Sequence, residues 1–276
     1  QASDNMDALL AEKYPQGITP ESINYAKTDL DSLLMIDYTS GTTSSPKGVM
    51  LTARNFSSNI DFGIHRLPAY PGDHMLSMLP LAHLYGMAFE LTYPLCQGCA
   101  IYFLGKTPPP SVLLQAFAEV KPYLIITVPL VMEKIFRNKV IPVIEKPAMK
   151  VALAIPGVRQ LICRKIRNTL LEALGGKVRS VVIGGAALAG QVESAMRMIR
   201  FPYTVGYGMT ECAPLIGYEE WQKFVKRSCG KPVSGMEVRI ASKNEREIVG
   251  EIQVKGDNVT IGYFKNPEAT AAAFTD

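Results

Sequence analysis

Hydroxyl side chains, glycine and one lysine are concentrated in residues 38–48, which spell YTSGTTSSPKG. Gly41 lets backbone N–H groups come close to phosphate oxygens, the Ser and Thr hydroxyls donate hydrogen bonds, and Lys47 adds a mobile positive charge. This composition predicts a loop that binds polyphosphate, and a Ser/Thr turn without a ligand is the alternative that these residues leave open. Pro46 before Lys47 and Gly48 after it exclude the Walker P-loop, in which the lysine follows Gly and precedes Ser or Thr.

Three later segments accompany this loop, namely residues 80–86 (PLAHLYG), 205–211 (VGYGMTE) and 254–263 (VKGDNVTIGY). Together the four resemble, in the same order, the motifs of the adenylate-forming superfamily, which includes acyl-CoA synthetases, luciferases and the adenylation domains of peptide synthetases. One such match would be weak, whereas four in order are specific. The chain departs from the pattern at Ser44, where the family usually has Gly, because Ser tolerates positive φ poorly.

The resemblance implies a site for ATP. It assigns the β and γ phosphates to Thr39, Ser40, Gly41, Thr42, Thr43 and Lys47. It assigns the adenine to Tyr207, with Gly206 and Gly208 beside it, and to the backbone of Gly184, Gly185 and Ala186. Without the resemblance, Tyr207 would be interpreted as a core aromatic and the two glycines at 184 and 185 as a tight turn after a strand.

Four side chains are implied to take part in the chemistry, namely Lys47, His83, Thr210 and Glu211. Thr210 would donate to the α-phosphate, and Glu211 would help to bind Mg²⁺, a hard cation that prefers carboxylate and phosphate oxygens. His83 by itself would be interpreted as a core histidine. The resemblance instead places it where the acyl carboxylate meets the phosphate, and imidazole can donate a hydrogen bond or carry charge near neutral pH.

The activated acid is predicted from residues 128–136 (VPLVMEKIF) and the basic helix after them, which resemble long-chain fatty-acid–CoA ligases. No Asp follows His83 closely, where amino-acid-activating relatives hold the substrate ammonium. Four apolar residues could line an acyl tunnel or belong to the plain core, namely Met87, Ala88, Phe89 and Leu91. The main hypothesis is therefore ATP- and Mg²⁺-dependent conversion of a long-chain fatty acid to an acyl adenylate and then, with CoA as second substrate, to acyl-CoA. Two alternatives stay open, a fatty-acyl-AMP ligase that loads a carrier protein and a nucleotide-binding module without catalysis.

Strand-length apolar runs alternate with helical patterns over residues 1–225, which predicts an α/β core of parallel sheets with helices on both faces. The predicted buried strands are residues 33–38, 74–79, 100–104, 123–127, 178–183 and 203–205. Helices are expected at 111–120, with Ser111 as N-cap, and at 158–174, ended by Gly175-Gly176. Alternating stretches at 237–241, 247–254 and 260–264 predict a small β-rich subdomain over 226–276. By resemblance, the α/β part is the central part of the large N-terminal domain of an acyl-CoA synthetase.

Composition narrows the class further. The net charge of +4 over 276 residues suits an anionic small-molecule ligand and is too small to predict nucleic-acid binding. The apolar run 122–132 is too short to cross a bilayer, and the N-terminus lacks a secretory pattern. The odd number of cysteines favours a reduced, cytoplasmic setting, with Cys96 and Cys99 expected to be buried and inert.

One cationic cluster and the chain ends complete the predictions. A solvated helix face is expected for Arg159, Arg164, Lys165 and Arg167, with peripheral membrane association or contact with CoA phosphates as alternatives. The family has further sequence before the phosphate loop and a mobile C-terminal domain. Because this sequence contains neither, we expect a fragment that has little synthetase activity by itself, and no oligomeric state is predicted.

Overall fold

A computed structural model describes residues 5–23, 27–39, 46–105, 110–245 and 247–275. The strands are β1 (Leu33–Tyr38), β2 (Gly48–Thr52), β3 (His74–Ser77), β4 (Ala100–Phe103), β5 (Leu124–Thr127), β6 (Ser180–Ile183), β7 (Tyr203–Val205), β8 (Tyr207–Gly208), β9 (Leu215–Tyr218), β10 (Lys231–Pro232), β11 (Met236–Ala241), β12 (Glu251–Gly256) and β13 (Gly262–Tyr263). The α-helices are α1 (Met6–Lys13), α2 (Ala53–Arg66), α3 (Leu84–Gly86), α4 (Tyr93–Cys96), α5 (Pro110–Val120), α6 (Pro129–Lys139), α7 (Ile141–Ile144), α8 (Pro147–Ala154), α9 (Pro156–Ala173), α10 (Gly190–Met198) and α11 (Pro267–Ala273). A π-helical segment, Met87–Thr92, joins α3 to α4.

Parallel strands form the centre of the α/β part. Strand β6 pairs in parallel with β5 on one side and β7 on the other, and β3 pairs in parallel with β4. Ile125 and Val181 face a core built with α5, α6, α9 and α10, whereas Ile126 and Val182 face a second core built with α2 and the π-helical segment. Because successive side chains of a strand point to opposite faces, both faces of this sheet are covered. The predicted α/β class, with helices on both faces, is confirmed.

Two predicted strands differ from expectation. Residues 33–38 do form β1, but this strand pairs antiparallel with β2, which the sequence patterns did not reveal, and Leu33 and Leu34 are exposed. Phe103 at the end of β4 is also exposed. The prediction that these two runs are buried was wrong, because an apolar run shows strand length but not whether the strand lies at a sheet edge.

The predicted helix boundaries were partly right. Helix α5 begins at Pro110, so Ser111 lies within its first turn and is not the N-cap. Proline fits the first helical position because the N–H that it lacks has no partner there. Helix α9 begins at Pro156, two residues before the expected start, and the predicted stop is confirmed by positive φ angles of 97° and 77° at Gly175 and Gly176.

The C-terminal strands pair with each other and with β2. Strands β11 and β12 form the expected antiparallel pair. The last predicted strand is shorter than expected, and as β13 it pairs with β2. The segment 226–276 is thus hydrogen-bonded to the strand that follows the phosphate loop, and its treatment as a separate subdomain from residue 226 stays a prediction.

Three buried asparagines join sequence-distant segments. Asn55 and Asn59 lie on α2, and Asn258 follows β12. The Asn59 amide donates to the carbonyl of Cys212 at 3.1 Å and accepts from the N–H of Leu215 at 2.9 Å. The Asn258 amide donates to the same two residues' carbonyls at 3.0 and 2.7 Å. Since buried backbone groups must be paired, these amides fix the turn 212–215 against α2 and the C-terminal strands.

Asn55 completes the connection. Its amide donates to the carbonyls of Asp257 and Val259 at 2.7 and 2.8 Å. Its side-chain oxygen accepts from the N–H of Thr52, and its own N–H donates to the Thr52 hydroxyl, so the same residue forms the capping box of α2.

Two simpler expectations were also tested. No described helix has the length and apolar character needed to cross a bilayer. Cys96 is exposed and Cys99 is partly exposed, so the expectation that both are buried was wrong.

Among the described residues, no group of three or more His, Cys, Asp or Glu side chains is arranged to hold a metal ion.

We predict that Asn59→Ala lowers the free energy of unfolding by about 1–3 kcal/mol, because the buried N–H of Leu215 loses its acceptor. Urea unfolding measures this. The matched control is Asn138→Ala on the exposed side of α6, which should change stability by less than about 0.5 kcal/mol. Equal effects of the two substitutions would contradict the structural role of Asn59.

Candidate functional site

A cavity of about 180 Å³ lies at the carboxyl ends of β6 and β7. Open α/β sheets bind ligands at this end of their strands. Its wall comes from the turn after β6, from β8 and the residues around it, and from α3 with the following π-helical segment. The lining residues are Leu67, His83, Leu84, Tyr85, Phe89, Ile126, Val182, Gly184, Gly185, Gly206, Tyr207, Gly208, Met209, Thr210, Pro214, Leu215 and Tyr218.

Glycines allow the backbone to form part of this wall. A Cβ at Gly184 would lie 3.0 Å from the Tyr85 ring, and a Cβ at Gly208 would overlap the carbonyl oxygen of Pro214. The Tyr85 hydroxyl donates to the carbonyls of Thr127 and Val182 at 3.4 and 3.3 Å, which places its ring beneath Gly184. A larger side chain at either glycine would therefore displace backbone or an aromatic ring. Backbone therefore forms part of the cavity wall beside the half-buried Tyr207.

His83 is the residue immediately before α3, and it lines the cavity. It is exposed, so the interpretation of this residue as a core histidine does not apply. Asp37 on β1 lies within electrostatic reach of it. Burial raises the pKa of the Asp37 carboxyl, and the interaction with His83 opposes that rise. The sequence patterns gave no role to Asp37, because nothing in them places β1 next to residue 83.

A second group of polar side chains adjoins the cavity through Thr210. The Tyr263 hydroxyl donates to Glu211 Oε1 at 2.8 Å, and Lys47 Nζ lies 5.0 Å from the centroid of the Tyr263 ring. Burial, and then the hydrogen bond to Glu211, raises the pKa of Tyr263 to about 12, so its hydroxyl stays protonated at neutral pH. Tyr263 thus holds the lysine of the phosphate loop close to the predicted Mg²⁺ ligand.

Backbone hydrogen bonds fix Lys47 and Glu211, the two charged residues of this group. The N–H of Thr39 donates to the carbonyl of Lys47 at 3.0 Å, which closes the base of the loop between β1 and β2. The N–H of Thr260 donates to the carbonyl of Glu211 at 2.8 Å. The predicted phosphate loop therefore connects two antiparallel strands, and the pairing of β13 with β2 brings Tyr263 close to Lys47.

The structure brings together most of the predicted residues that it describes. Seven of them line the cavity, namely His83, Gly184, Gly185, Gly206, Tyr207, Gly208 and Thr210. Thr39, Lys47 and Glu211 belong to the adjoining polar group. Ala186 is exposed and is not among the residues that line the cavity, and its place beside the base stays a prediction. The four predicted loop residues Ser40, Gly41, Thr42 and Thr43 lie outside the described residues.

Of the four candidates for an acyl tunnel, only Phe89 lines the cavity. Ala88 is buried in the core on the α2 face, Met87 packs against that core, and Leu91 is half-buried. Tyr85 and Tyr263 were missed as site residues, although both lie inside the quoted motifs. Their place inside the motifs was the only signal in the sequence. The hydrogen bonds that make Tyr85 and Tyr263 part of the site join residues that are distant in sequence.

Glu90 is a buried carboxylate directly behind the segment that carries His83. Its Oε2 accepts from the N–H groups of Met78 and Leu79 at 3.0 and 2.8 Å and from the Ser77 hydroxyl at 3.4 Å. Its Oε1 has no partner among the described residues. Burial raises the pKa of Glu90 to about 7, against the opposing effect of the two N–H donors. Glu90 thereby anchors the end of β3 just before the segment 80–83.

Several known proteins are similar to this chain in sequence or in fold. The model of the AMP-binding enzyme family matches residues 3–264. Long-chain-fatty-acid–CoA ligase FadD15 of Mycobacterium bovis is 29% identical over 297 residues, which cover 100% of this chain and 47% of that protein. The chloroplastic long-chain-fatty-acid–[acyl-carrier-protein] ligase AEE15 of Arabidopsis thaliana is 27% identical over 293 residues, covering 88% of this chain and 40% of that protein.

Solved structures agree at the level of the fold. The o-succinylbenzoate CoA synthetase MenE of Bacillus subtilis, in complex with the acyl-adenylate intermediate OSB-AMP, matches with a TM-score of 0.71 and 24% identity, covering 90% of this chain and 45% of that chain. This likeness shows that the chain shares the fold of that enzyme. The chain belongs to the AMP-binding enzyme family, and it spans less than half the length of the curated relatives named above.

We predict that Glu90→Gln removes a pH dependence of stability. A carboxyl whose pKa is raised from 4.5 to about 7 binds its proton more tightly in the folded state. The wild-type protein therefore loses stability as pH rises from about 4.5 to about 7, by up to about 3 kcal/mol relative to the neutral variant.

Urea unfolding of wild type and Glu90→Gln at several pH values measures the difference, with Glu12→Gln on the exposed face of α1 as control. A wild-type minus Glu90→Gln difference that stays constant across this pH range would show that Glu90 is already ionised at low pH in the folded protein.

Proposed function

We propose that this chain forms the nucleotide- and acyl-binding part of an ATP-dependent acid–CoA ligase that activates a long-chain fatty acid. The observation that carries the proposal is the convergence of the four quoted motifs. His83 from residues 80–86 and Thr210 from residues 205–211 line one cavity. Beside it, Tyr263 of the last motif donates to Glu211 and lies next to Lys47 of the first motif.

The first half-reaction would join a carboxylate oxygen to the α-phosphorus of ATP and break the bond between that phosphorus and the bridging oxygen to the β-phosphate. Pyrophosphate leaves with the electron pair of that bond. Negative charge accumulates on the oxygens, so catalysis consists mainly of positioning and of stabilising charge. Lys47 would hold the β and γ phosphates, Thr210 would donate to the α-phosphate, and His83 would donate a hydrogen bond where carboxylate and phosphate meet.

The second half-reaction would form a thioester. The sulfur of CoA attacks the acyl carbonyl carbon, the thiol proton is lost, and AMP leaves with the electron pair of the mixed anhydride. Tyr207 and the glycine wall would retain the adenine during both steps. The cavity lining supports this, because glycines without side chains leave room beside the Tyr207 ring, on which a planar base can stack.

The residues also fit Mg²⁺. This ion is usually held by one or two carboxylates together with substrate phosphates, and it neutralises charge on the phosphate oxygens when bound. The described residues contain no dedicated metal cluster, and Glu211 is a partly exposed carboxylate beside the lysine of the phosphate loop. Glu211 would hold the ion, and Tyr263 would orient the carboxylate.

Two observations support a long-chain fatty acid as the substrate. The relative from M. bovis is named as a long-chain fatty-acid–CoA ligase, and the cavity has an aliphatic and aromatic side formed by Leu67, Leu84, Phe89 and Tyr218. The relative from A. thaliana is named for loading an acyl carrier protein, which keeps that acceptor as the second candidate.

A panel of acids tests the proposal on the full-length protein, with pyrophosphate and acyl thioester followed together. We expect pyrophosphate release that depends on long-chain fatty acids and matching formation of acyl-CoA. Pyrophosphate without CoA thioester, together with transfer to a carrier protein, would support the second candidate. ATP binding without acid-dependent pyrophosphate release would support a module without catalysis and reject both ligase hypotheses.

We predict that Glu211→Gln raises the Mg²⁺ concentration needed for half-maximal adenylation about tenfold or more, because an ionic ligand is lost. Tyr263→Phe should raise it in the same direction by a smaller factor, since it removes the hydroxyl that orients the carboxylate and keeps the ring under Lys47. A Mg²⁺ titration of pyrophosphate release measures both, with Tyr102→Phe at an exposed position as control. An unaltered titration for Glu211→Gln would assign this residue a structural role.

A further inference from the structure

Helices α8 and α9 carry an unusual concentration of positive charge. Between residues 146 and 171 the sequence contains no Asp or Glu and six cations, more than the net charge of +4 of the whole chain. They are Lys146, Lys150, Arg159, Arg164, Lys165 and Arg167. Within the part of the chain that the structure describes, none of the six forms an ion pair.

The same two helices expose large aliphatic side chains. Val151 on α8 is 69% exposed and Leu161 on α9 is 70% exposed, with Ile155 and Val158 between them at 52% and 37%. Helix α8 has no buried residue at all, although its sequence, PAMKVALA, is mostly apolar. A segment of this composition normally packs its apolar side against something.

The geometry of α9 separates two faces. Cys163 and Leu170 are buried and pack against the core of the parallel sheet. Val158, Leu161 and Lys165 follow the spacing i, i+3, i+7 and lie on the side of the helix away from that core. Helices α8 and α9 meet at Ile155, and we call their exposed aliphatic side chains together the α8–α9 surface.

We propose that the α8–α9 surface binds an anionic lipid bilayer. Its aliphatic side chains would enter the boundary between headgroups and acyl chains, and its Lys and Arg side chains would reach the lipid phosphates. Cations that flank apolar side chains on an interfacial helix are the pattern of peripheral membrane attachment. Charge complementarity selects this occupant, because the exposed Arg164 and Lys165 flank Leu161 on α9, and residues 146–171 contain no carboxylate that a basic partner would need.

The chemistry of the surface distinguishes this proposal from contact with soluble polyphosphates. Nucleotide or CoA phosphates would need the cations only, and the exposed aliphatic side chains would stay in water. A bilayer uses both sets of side chains at once. The proposal does not depend on the proposed function, although a membrane is also the place where long-chain fatty acids partition.

Vesicle sedimentation of the full-length protein tests the proposal. We expect binding to phosphatidylcholine vesicles that contain about 30% phosphatidylserine, and at least roughly tenfold weaker binding to phosphatidylcholine alone. The double variants Val151→Asp/Leu161→Asp and Arg164→Glu/Lys165→Glu should each lower binding roughly tenfold or more. The control Val249→Asp, at a position that is 99% exposed between β11 and β12, should bind as wild type does.

Three results would overturn the proposal. They are equal binding to both kinds of vesicle, sensitivity to the charge variant without sensitivity to the aliphatic variant, and an equal loss for the Val249→Asp control. A second measurement does not depend on whether any variant folds. It compares backbone hydrogen exchange of the wild-type protein with and without the phosphatidylserine vesicles. Protection of residues 147–165 on vesicle addition is expected, and unchanged exchange there would equally reject the bilayer as the occupant.

Discussion

The turn 212–215 depends on hydrogen bonds from buried asparagines. A buried backbone N–H or carbonyl without a partner costs about 1–3 kcal/mol, so a turn that crosses the protein interior needs donors and acceptors supplied by side chains. Asn59 and Asn258 supply them from segments that lie 153 and 46 residues away from Cys212. Asn55 joins the same helix to the residues around Asn258. Because these amides fix the turn, they also fix Thr210 and Glu211, which directly precede it.

The cavity and the polar group around Tyr263 follow from that arrangement. Thr210 lines the cavity, and the next residue, Glu211, accepts a hydrogen bond from the Tyr263 hydroxyl. Lys47 lies next to the ring of this tyrosine. Strand β13 can deliver Tyr263 to this position because it pairs with β2, the strand that follows the phosphate loop. In the proposed reaction, the adenine end and the polyphosphate end of ATP would lie on the two sides of the same turn.

Much of the fold was predictable from local patterns. Fully apolar runs such as residues 124–127 indicate strands that are buried on both faces, and the glycines after α9 mark its end. The exposed edge strand β1 was not predictable in this way, since its apolar run resembles a buried one. Seven of the predicted motif residues line one cavity, because a family resemblance carries tertiary information that local patterns lack. Local patterns did not reveal Tyr263, Tyr85 and Asp37 as site residues. Tyr263 is positioned by the pairing of β13 with β2, and Tyr85 packs where Gly184 has no side chain. Asp37 interacts electrostatically with His83, which is distant in sequence.

We propose that ATP binds across the turn 212–215 and the two residues before it, with its base in the cavity and its β and γ phosphates beside Lys47. The most direct measurement is a crystal structure of the full-length protein with Mg²⁺ and a non-hydrolysable ATP analogue. We predict adenine against Tyr207 and the wall at Gly184, with the terminal phosphates within hydrogen-bonding distance of Lys47. A nucleotide bound elsewhere, or phosphates pointing away from Lys47 and Glu211, would contradict the account.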